Sequence, residues 1–200
     1  MQGLFSVLFR YGTCLSFLVR YHTEGNTMIR ILMICHGNIC RSIAAHYVLQ
    51  NMVDEAGLSE KFYIDSAATS REELGNPVYP PMERTLKSHS VPIGTHRARQ
   101  MTKQDYDDFD YLIAMDRENL YFMNRMYGET DKNDDRTAFW KYTYDDIKPS
   151  DPEGKISLLL DHVAGREGQE VADPWYTRDF EATYRDVTEG CSALLKELGF

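Results

Sequence analysis

The sequence has little of what marks several large classes of protein. Its 200 residues include four cysteines, seven prolines and two tryptophans. There are only 22 basic residues against 31 acidic ones. The resulting formal net charge of -9 repels nucleic acid and anionic membranes, so we expect no nucleic acid partner and no stable membrane association. The apolar runs near the N-terminus fall far short of the ~20 residues that span a bilayer.

The four cysteines are not spaced like a disulfide framework. Cys35 and Cys40 lie close together, whereas Cys14 and Cys191 are distant single residues. A chain of this length can build a hydrophobic core without disulfides, so we expect reduced thiols and a cytoplasmic protein. Cys35, His36 and Cys40 lack neighbours with metal-ligand spacing, and the sequence therefore predicts no metal site.

Residues 1–27 precede the first clear strand and contain an apolar stretch. Arg10 interrupts that stretch and no small-residue cleavage site follows, which argues against a signal peptide. We interpret residues 1–27 as a non-essential or disordered extension, with a peripheral membrane anchor as the alternative. Residues 28–200 then form the folded domain.

From residue 29 onward, apolar strand patterns alternate with helical ones. Strands are predicted at 29–34, 62–64, 109–114 and 156–163, with a turn into helix as an alternative for the end of the last one. Helices are predicted at 42–56, 80–90, 116–127 and 178–198. This alternation is typical of an α/β domain with a mostly parallel sheet, in which ligands bind at the carboxyl ends of the strands. The acidic stretch 129–153 is predicted to be a surface insertion, either a solvated loop or a lid or docking surface.

The first strand leads into the segment Cys35-His36-Gly37-Asn38-Ile39-Cys40-Arg41-Ser42, which precedes the first predicted helix. A helix N-terminus offers free N–H groups and a favourable dipole to an anion. Gly37 and Asn38 tolerate positive φ, so that successive N–H groups can surround a phosphate, and the Arg41 fork can bind two of its oxygens. The same positive field favours the nucleophilic thiolate of Cys35, to which Ser42 can donate a hydrogen bond.

These motifs resemble those of the low-molecular-weight protein tyrosine phosphatases. The matching segments are Cys-X5-Arg-Ser after a strand, Asp65-Ser66-Ala67-Ala68-Thr69-Ser70, Gly75-Asn76-Pro77, His96-Arg97-Ala98-Arg99-Gln100, Met115-Asp116 with Asn119-Leu120, and Asp173-Pro174-Trp175-Tyr176. The similarity runs from about residue 28 to the C-terminus. It implies a three-layer α/β sandwich with a central four-stranded parallel sheet, helices on both faces, and no metal or other cofactor.

A phenolate leaves poorly from phosphorus, so hydrolysis of an aryl phosphate calls for a carboxylic acid at the scissile bond. Two Asp-Pro pairs compete for this role, Asp151-Pro152 and Asp173-Pro174. Asp151-Pro152 is typical of a surface turn. Asp173-Pro174 matches the family's acid loop and predicts Asp173 as general acid and base. Trp175 and Tyr176 would flank the substrate's phenyl ring, unless they belong to the core.

The resemblance also implies supporting roles around the loop. Asn38, Ser66 and His96 match a hydrogen-bond network that holds the loop in shape, although any single histidine can equally be an ordinary polar residue. Cys40 is a core residue, a metal ligand or a redox partner; the resemblance favours a reversible disulfide with Cys35.

Several polar residues receive a simpler interpretation. Asp116 is expected to cap a helix, and four histidines are expected to be surface residues or core residues with a hydrogen-bond partner: His22, His46, His89 and His162. His36 and Glu72 depart from the residue types usual in the family, and Glu72 would make one rim of the pocket acidic.

The resemblance implies hydrolysis of protein phosphotyrosine and small aryl phosphates through a phosphocysteine intermediate. Cys35 is the nucleophile, Arg41 the phosphate clamp and Asp173 the acid. The alternatives are a protein-arginine phosphatase, which favours Thr where this chain has Ile39; an arsenate reductase, which needs two further mid-chain cysteines; and a phosphate-binding module without turnover. Bacterial relatives suggest an autophosphorylated tyrosine kinase as partner, and we expect a monomer or weak dimer.

Overall fold

The computed structural model describes residues 28–127 and 151–200. The strands there are β1 (Ile29–Cys35), β2 (Phe62–Ala68), β3 (Tyr111–Ala114) and β4 (Ile156–Leu158). The helices are α1 (Arg41–Glu55), α2 (Pro80–Ser88), α3 (Lys103–Asp108), α4 (Arg117–Tyr127), α5 (Pro174–Thr177) and α6 (Phe180–Glu197), with 3-10 turns at Ser59–Lys61 and Leu159–His162. The predicted extension 1–27 and residues 128–150 of the acidic stretch lie outside the described residues.

The four strands form one parallel sheet in the order β2-β1-β3-β4. β1 is central and pairs with β2 on one side, where Ile31 lies opposite Ile64, and with β3 on the other, where Ile31 lies opposite Tyr111. All the carboxyl ends therefore meet at one edge, where β1 ends at Cys35. The predicted α/β sandwich with a four-stranded parallel sheet is confirmed.

Side chains of β1 alternate between two apolar layers, as the period of a strand requires. Ile31 and Met33 belong to the layer that includes α1, α2 and α6, whereas Leu32 and Ile34 belong to the layer that includes α4. All four side chains are completely buried, and each such burial contributes about 1.5–3 kcal/mol. This explains why β1 is apolar from Ile31 to Cys35: both faces of that part of the strand are covered, and only Arg30 near its start is polar.

Two predicted boundaries are wrong for local reasons. The last helix begins at Phe180, not near residue 178, because the Asp179 side chain accepts the Ala182 N–H and caps it; Thr177 does not cap it. The fourth strand ends at Leu158, so only the first three residues of the predicted 156–163 strand pair with β3. The 3-10 turn that follows it confirms the alternative of a helical end.

Helix α3 has no counterpart among the sequence predictions, because its six residues lack an apolar stripe. Its signal is a capping box instead. Thr102 Oγ1 accepts the Asp105 N–H at 3.3 Å, and Asp105 Oδ2 accepts the Thr102 N–H at 2.6 Å. None of the helices within the described ranges has the length and apolar character needed to cross a bilayer.

Gly190 gives a test of the contact between α6 and the turn after β4. A Cβ atom at this position would lie 2.5 Å from Leu159 Cγ, well inside the contact distance. We therefore expect Gly190→Ala to lower the free energy of unfolding by about 1–3 kcal/mol despite alanine's better helix propensity, as overpacking does. Urea denaturation measures the change. The exposed Ser192→Ala on the same helix is the control and should be neutral or slightly stabilising; equal behaviour of the two variants would contradict the packing argument.

Candidate active site

The loop between β1 and α1 is held in shape by the buried side chain of Asn38. This residue has φ 56°, a left-handed conformation that asparagine tolerates better than most residues. Its Oδ1 accepts the Arg99 N–H at 3.1 Å, and its Nδ2 donates to Ser42 Oγ at 3.0 Å. His96 Nε2 donates to the Asn38 carbonyl oxygen at 2.7 Å. Three contacts thus fix one strained residue, and with it the path of the loop.

Cys35 lies at the end of β1 with its sulfur inside this loop. Its Sγ is 3.0 Å from Ser42 Oγ and accepts the Asn38 N–H at 3.3 Å. Because Ser42 Oγ already accepts a hydrogen from Asn38 Nδ2, its own hydrogen is free to point at the sulfur. Both donors stabilise negative charge on Sγ.

Arg41, the first residue of α1, is buried between two carboxylates. Its Nη1 donates to Asp116 Oδ2, and its Nη2 lies 2.8 Å from Asp173 Oδ2. Burial would lower the pKa of Arg41, but attraction from Asp116, then Cys35 and Asp173, raises it above the ordinary value. The buried guanidinium is therefore charged, and it lies within electrostatic reach of Cys35.

Asp116 has a second role that the sequence interpretation missed. Its Oδ1 accepts the Asn119 N–H at 2.7 Å and so caps α4, as expected. Its Oδ2 accepts from Arg41, so the helix cap also orients the cation. A buried aspartate directly after a strand that ends at the sheet's carboxyl edge was the available signal.

The two Asp-Pro pairs occupy different environments. Asp173 caps α5 by accepting the Trp175 N–H on Oδ1 at 2.9 Å, while Oδ2 meets Arg41. Asp151 accepts the Lys155 and Ile156 N–H groups in a tight turn before β4. The structure thus brings Asp173 to the loop and occupies Asp151 in the turn.

The aromatic residues beside Asp173 are exposed and not part of the core. Trp175 retains 54% and Tyr176 83% of its accessible surface. The Trp175 ring centroid lies 6.0 Å from that of Tyr79. This leaves a surface on which an aromatic ring of a ligand can pack.

Ser66 lies within the supporting layer, but its partner is not the one expected. Its Oγ contacts His46 Nδ1 at 3.4 Å, so His46 is a largely buried histidine with a hydrogen-bond partner, which agrees with the simpler interpretation. Burial, partly offset by Asp65 and reinforced by His96, lowers the pKa of His46 to about 4. The pKa of His96 is also lowered, chiefly by burial.

Arg99 is another member of this layer that sequence reasoning did not single out. Its guanidinium donates to the carboxylates of Asp65 and Asp105, and this fixes the backbone N–H that binds Asn38. Arg99 lies in the His96-to-Gln100 motif, but only the fold shows that its side chain holds its own backbone N–H in place beside Asn38.

Cys40 and His36 are the remaining loop side chains with their own chemistry. Burial, then the charge of Cys35, raises the pKa of Cys40, which keeps its thiol protonated. Within the described residues, His, Cys, Asp and Glu side chains form no cluster of three that could hold a metal ion. His36 Nε2 lies 3.2 Å from Glu72 Oε2, so the two departures from the family pattern are in contact.

Comparison with known proteins gives consistent matches. The sequence model of the family described as low molecular weight phosphotyrosine protein phosphatase matches residues 30–145. The chain is 33% identical over 171 residues to the low molecular weight protein-tyrosine-phosphatase YfkJ of Bacillus subtilis, covering 86% of this chain and 96% of that one. It is 34% identical over 169 residues to the human low molecular weight phosphotyrosine protein phosphatase, covering 84% and 94%.

Solved structures agree with these matches. The crystal structure of YfkJ superposes with a TM-score of 0.71, covering 88% of this chain and 97% of that one. A Drosophila arginine phosphatase, 27% identical, superposes with a TM-score of 0.66 and covers 84% of this chain and 96% of its own.

The lowered pKa of His46 predicts how stability depends on pH. The ordinary value of 6.5 applies to the unfolded chain and the value of about 4 to the folded one, so the unfolded state binds more protons between them. The free energy of unfolding therefore has its full value well above pH 6.5 and falls as the pH drops toward 4. This residue accounts for a loss of roughly 3 kcal/mol.

Urea denaturation across this pH range measures the effect in wild type and in His46→Gln, which keeps a polar partner for Ser66. The variant should show a smaller loss on acidification. His89→Gln removes a histidine from the surface and should keep the wild-type dependence. An unchanged slope for His46→Gln would show that His46 is not the titrating group.

Proposed function

The chain belongs to the low molecular weight phosphotyrosine protein phosphatase family, and from that membership we propose how its residues act. It is a hydrolase that cleaves protein phosphotyrosine. We propose Cys35 as the nucleophile, Arg41 as the phosphate clamp and Asp173 as the general acid and base. The observation that carries the proposal is that one loop holds both groups: its Asn38 N–H donates to the Cys35 sulfur, and its Arg41 lies 2.8 Å from Asp173.

The first step transfers the phosphoryl group to sulfur. The Cys35 thiolate attacks phosphorus while the bond from phosphorus to the tyrosine oxygen breaks. Protonated Asp173 gives its proton to that oxygen, so that tyrosine leaves as a neutral phenol. The N–H groups of the loop and the Arg41 guanidinium bind the phosphate oxygens, whose charge they neutralise within a buried pocket. The substrate-binding residues are His36, Gly37, Asn38, Ile39, Cys40 and Ser42.

The second step releases phosphate. Asp173, now a carboxylate, takes a proton from water as the water oxygen attacks the phosphocysteine. The phosphorus–sulfur bond breaks and the electron pair returns to Cys35, where Ser42 and the Asn38 N–H stabilise the thiolate. The products are phosphate and the free enzyme with Asp173 protonated again.

The surrounding residues have positioning and binding roles in this proposal. Trp175 and Tyr176 pack on the substrate's phenyl ring, because both are exposed next to Asp173. Ser66 and His96 support the loop, His96 directly through Asn38 and Ser66 through its contact with His46.

Arginine phosphatase activity is the second candidate, because the chain also resembles a structure with that name. Ile39 occupies the position where Thr favours phosphoarginine, so we propose phosphotyrosine as the substrate. Between Cys40 and Cys191 the sequence has no further cysteine for an arsenate reductase relay. The intact constellation of nucleophile, clamp and acid argues against a non-catalytic phosphate-binding module.

The cellular setting extends this proposal. We place the enzyme in the cytoplasm, acting on phosphotyrosine proteins that include an autophosphorylated tyrosine kinase, as a monomer or weak dimer. Residues 28–200 form the phosphatase domain, with residues 1–27 as a non-essential extension and residues 129–153 as an acidic surface insertion.

Hydrolysis of aryl phosphates with different leaving-group pKa values tests the acid. Asp173→Asn keeps the acceptor that caps α5 but has no proton to give, so we expect a large loss on poor leaving groups and a smaller one on activated ones. Cys35→Ser should abolish turnover of both. Asp151→Asn, the other Asp-Pro pair, is the control and should keep the wild-type dependence on leaving group. Equal loss on all substrates would remove Asp173 as the acid, and parallel assays with phosphoarginine and arsenate test the rival activities.

The orientation of Arg41 gives a separate prediction. Asp116→Asn keeps the oxygen that caps α4 but removes the charge that holds Nη1, so Arg41 can rotate to pair with Asp173 alone. We expect kcat/KM on aryl phosphates to fall roughly 10- to 100-fold, as loss of a charged hydrogen bond implies. Asp116→Ala should show the same kinetic defect with an added loss of thermal stability. Wild-type kinetics in the Asn variant would show that Arg41 is oriented without Asp116.

A further inference from the structure

Two carboxylates flank the side chain that follows the nucleophile. His36 Nε2 lies 3.2 Å from Glu72 Oε2, and its Nδ1 lies 3.8 Å from Glu118 Oε2. Glu72 belongs to the segment after β2 and Glu118 to the first turn of α4, so the ring of His36 bridges two separate parts of the fold. We use the name acidic rim for the group formed by His36, Glu72 and Glu118.

The acidic rim is negative in either protonation state of His36. Two carboxylates with a neutral ring carry two negative charges, and a protonated ring leaves one. His36 Nδ1 is closed off from solvent and makes no hydrogen bond to any described residue, because Glu118 is beyond hydrogen-bond range. The ring therefore spaces the carboxylates without fully neutralising them.

Glu118 ties the acidic rim to the catalytic groups. Burial, then repulsion from Asp116 and Asp173, raises its pKa, while attraction from His36 and Arg41 opposes the rise. Glu118 thus lies within electrostatic reach of the clamp and the acid. The neighbouring Glu73 has a partner of its own, since its Oε2 accepts from Asn76 Nδ2 at 2.6 Å.

Negative charge at this position opposes the approach of a phosphate dianion unless the substrate brings compensating charge. The loop and Arg41 bind the phosphate itself, so the acidic rim can attract only groups beside it. Both carboxylates contact the side chain that follows Cys35, and Glu72 is 74% exposed and Glu118 33% exposed, so a Lys or Arg next to the phosphorylated residue can pair with them.

We propose that the acidic rim makes this enzyme prefer phosphotyrosine that is flanked directly by a basic residue. The inference rests on the proposed function and names the substrate class of the same site. Each exposed ion pair changes the specificity constant by about two- to fivefold, so the two carboxylates together give roughly tenfold discrimination between Lys and Glu neighbours. The preference is electrostatic and falls as ionic strength rises.

The test compares phosphotyrosine peptides that carry Lys, Ala or Glu on each side of the phosphorylated residue. Their kcat/KM values are measured with wild type and with the double variant Glu72→Gln/Glu118→Gln. Glu55→Gln/Glu60→Gln makes the same charge change at two exposed positions near the amino ends of the strands, far from the loop, and is the matched control. para-Nitrophenyl phosphate, which has no flanking residue, reports the basal chemistry.

Wild type and control should prefer Lys over Ala and Ala over Glu, and the double variant should treat the three peptides within about twofold of one another. Equal rates on all peptides in wild type, or an undiminished preference in the double variant, would overturn the acidic rim as a selector. Absence of turnover on para-nitrophenyl phosphate in wild type would instead overturn the proposed function, so the two failures are distinguishable.

Discussion

The site depends on one buried cation held between two carboxylates. Arg41 is 4% exposed, and its guanidinium donates to Asp116 on one side and forms an ion pair with Asp173 on the other. Burying a charge is costly unless it is paired and hydrogen-bonded, and here the pairs also decide which way the fork points. In the proposed mechanism Arg41 binds the phosphate dianion, while Asp116, which comes from the helix cap after β3, keeps its place. Asp173, by contrast, lies on a short exposed turn and can exchange its contact with Arg41 for one with substrate.

The loop around the sulfur is preformed for the same reason. An asparagine with positive φ and a buried amide needs partners for every polar atom, and it finds them in Arg99, Ser42 and His96. Arg99 in turn is fixed by Asp65 and Asp105, at the end of a chain of contacts that begins on β2 and α3. Oxyanion donors that are already in place need no reorganisation when charge develops, which is where such sites gain most of their catalytic effect.

Much of this could be predicted from the sequence because local patterns determine it. β1 is apolar apart from Arg30 because both its faces are covered, and the segment from Cys35 to Ser42 predicts a phosphate loop through residue types at fixed spacing. Contacts between distant segments could not be predicted in this way. His46 lies on α1 among apolar neighbours, and nothing in the sequence indicates its partner. The fold places its ring against Ser66 of β2. Asp116 looked like a helix cap and is one, but the parallel order of β1 and β3 also sets it beside Arg41.

The net charge of the protein does not predict its affinity for phosphate at such a site, because charges in water act only over a short distance. A protein with a formal charge of -9 repels phosphate from afar, but screening limits that repulsion to about 8 Å at physiological ionic strength. Inside that distance the amides, the helix N-terminus and Arg41 dominate, so affinity for the phosphate itself is a local property. The groups just outside the loop, Glu72 and Glu118 with His36 between them, decide instead which flanking side chains are tolerated. Binding of the reacting group and choice of substrate are thus separated in space, and the second can change through residues that never touch phosphorus.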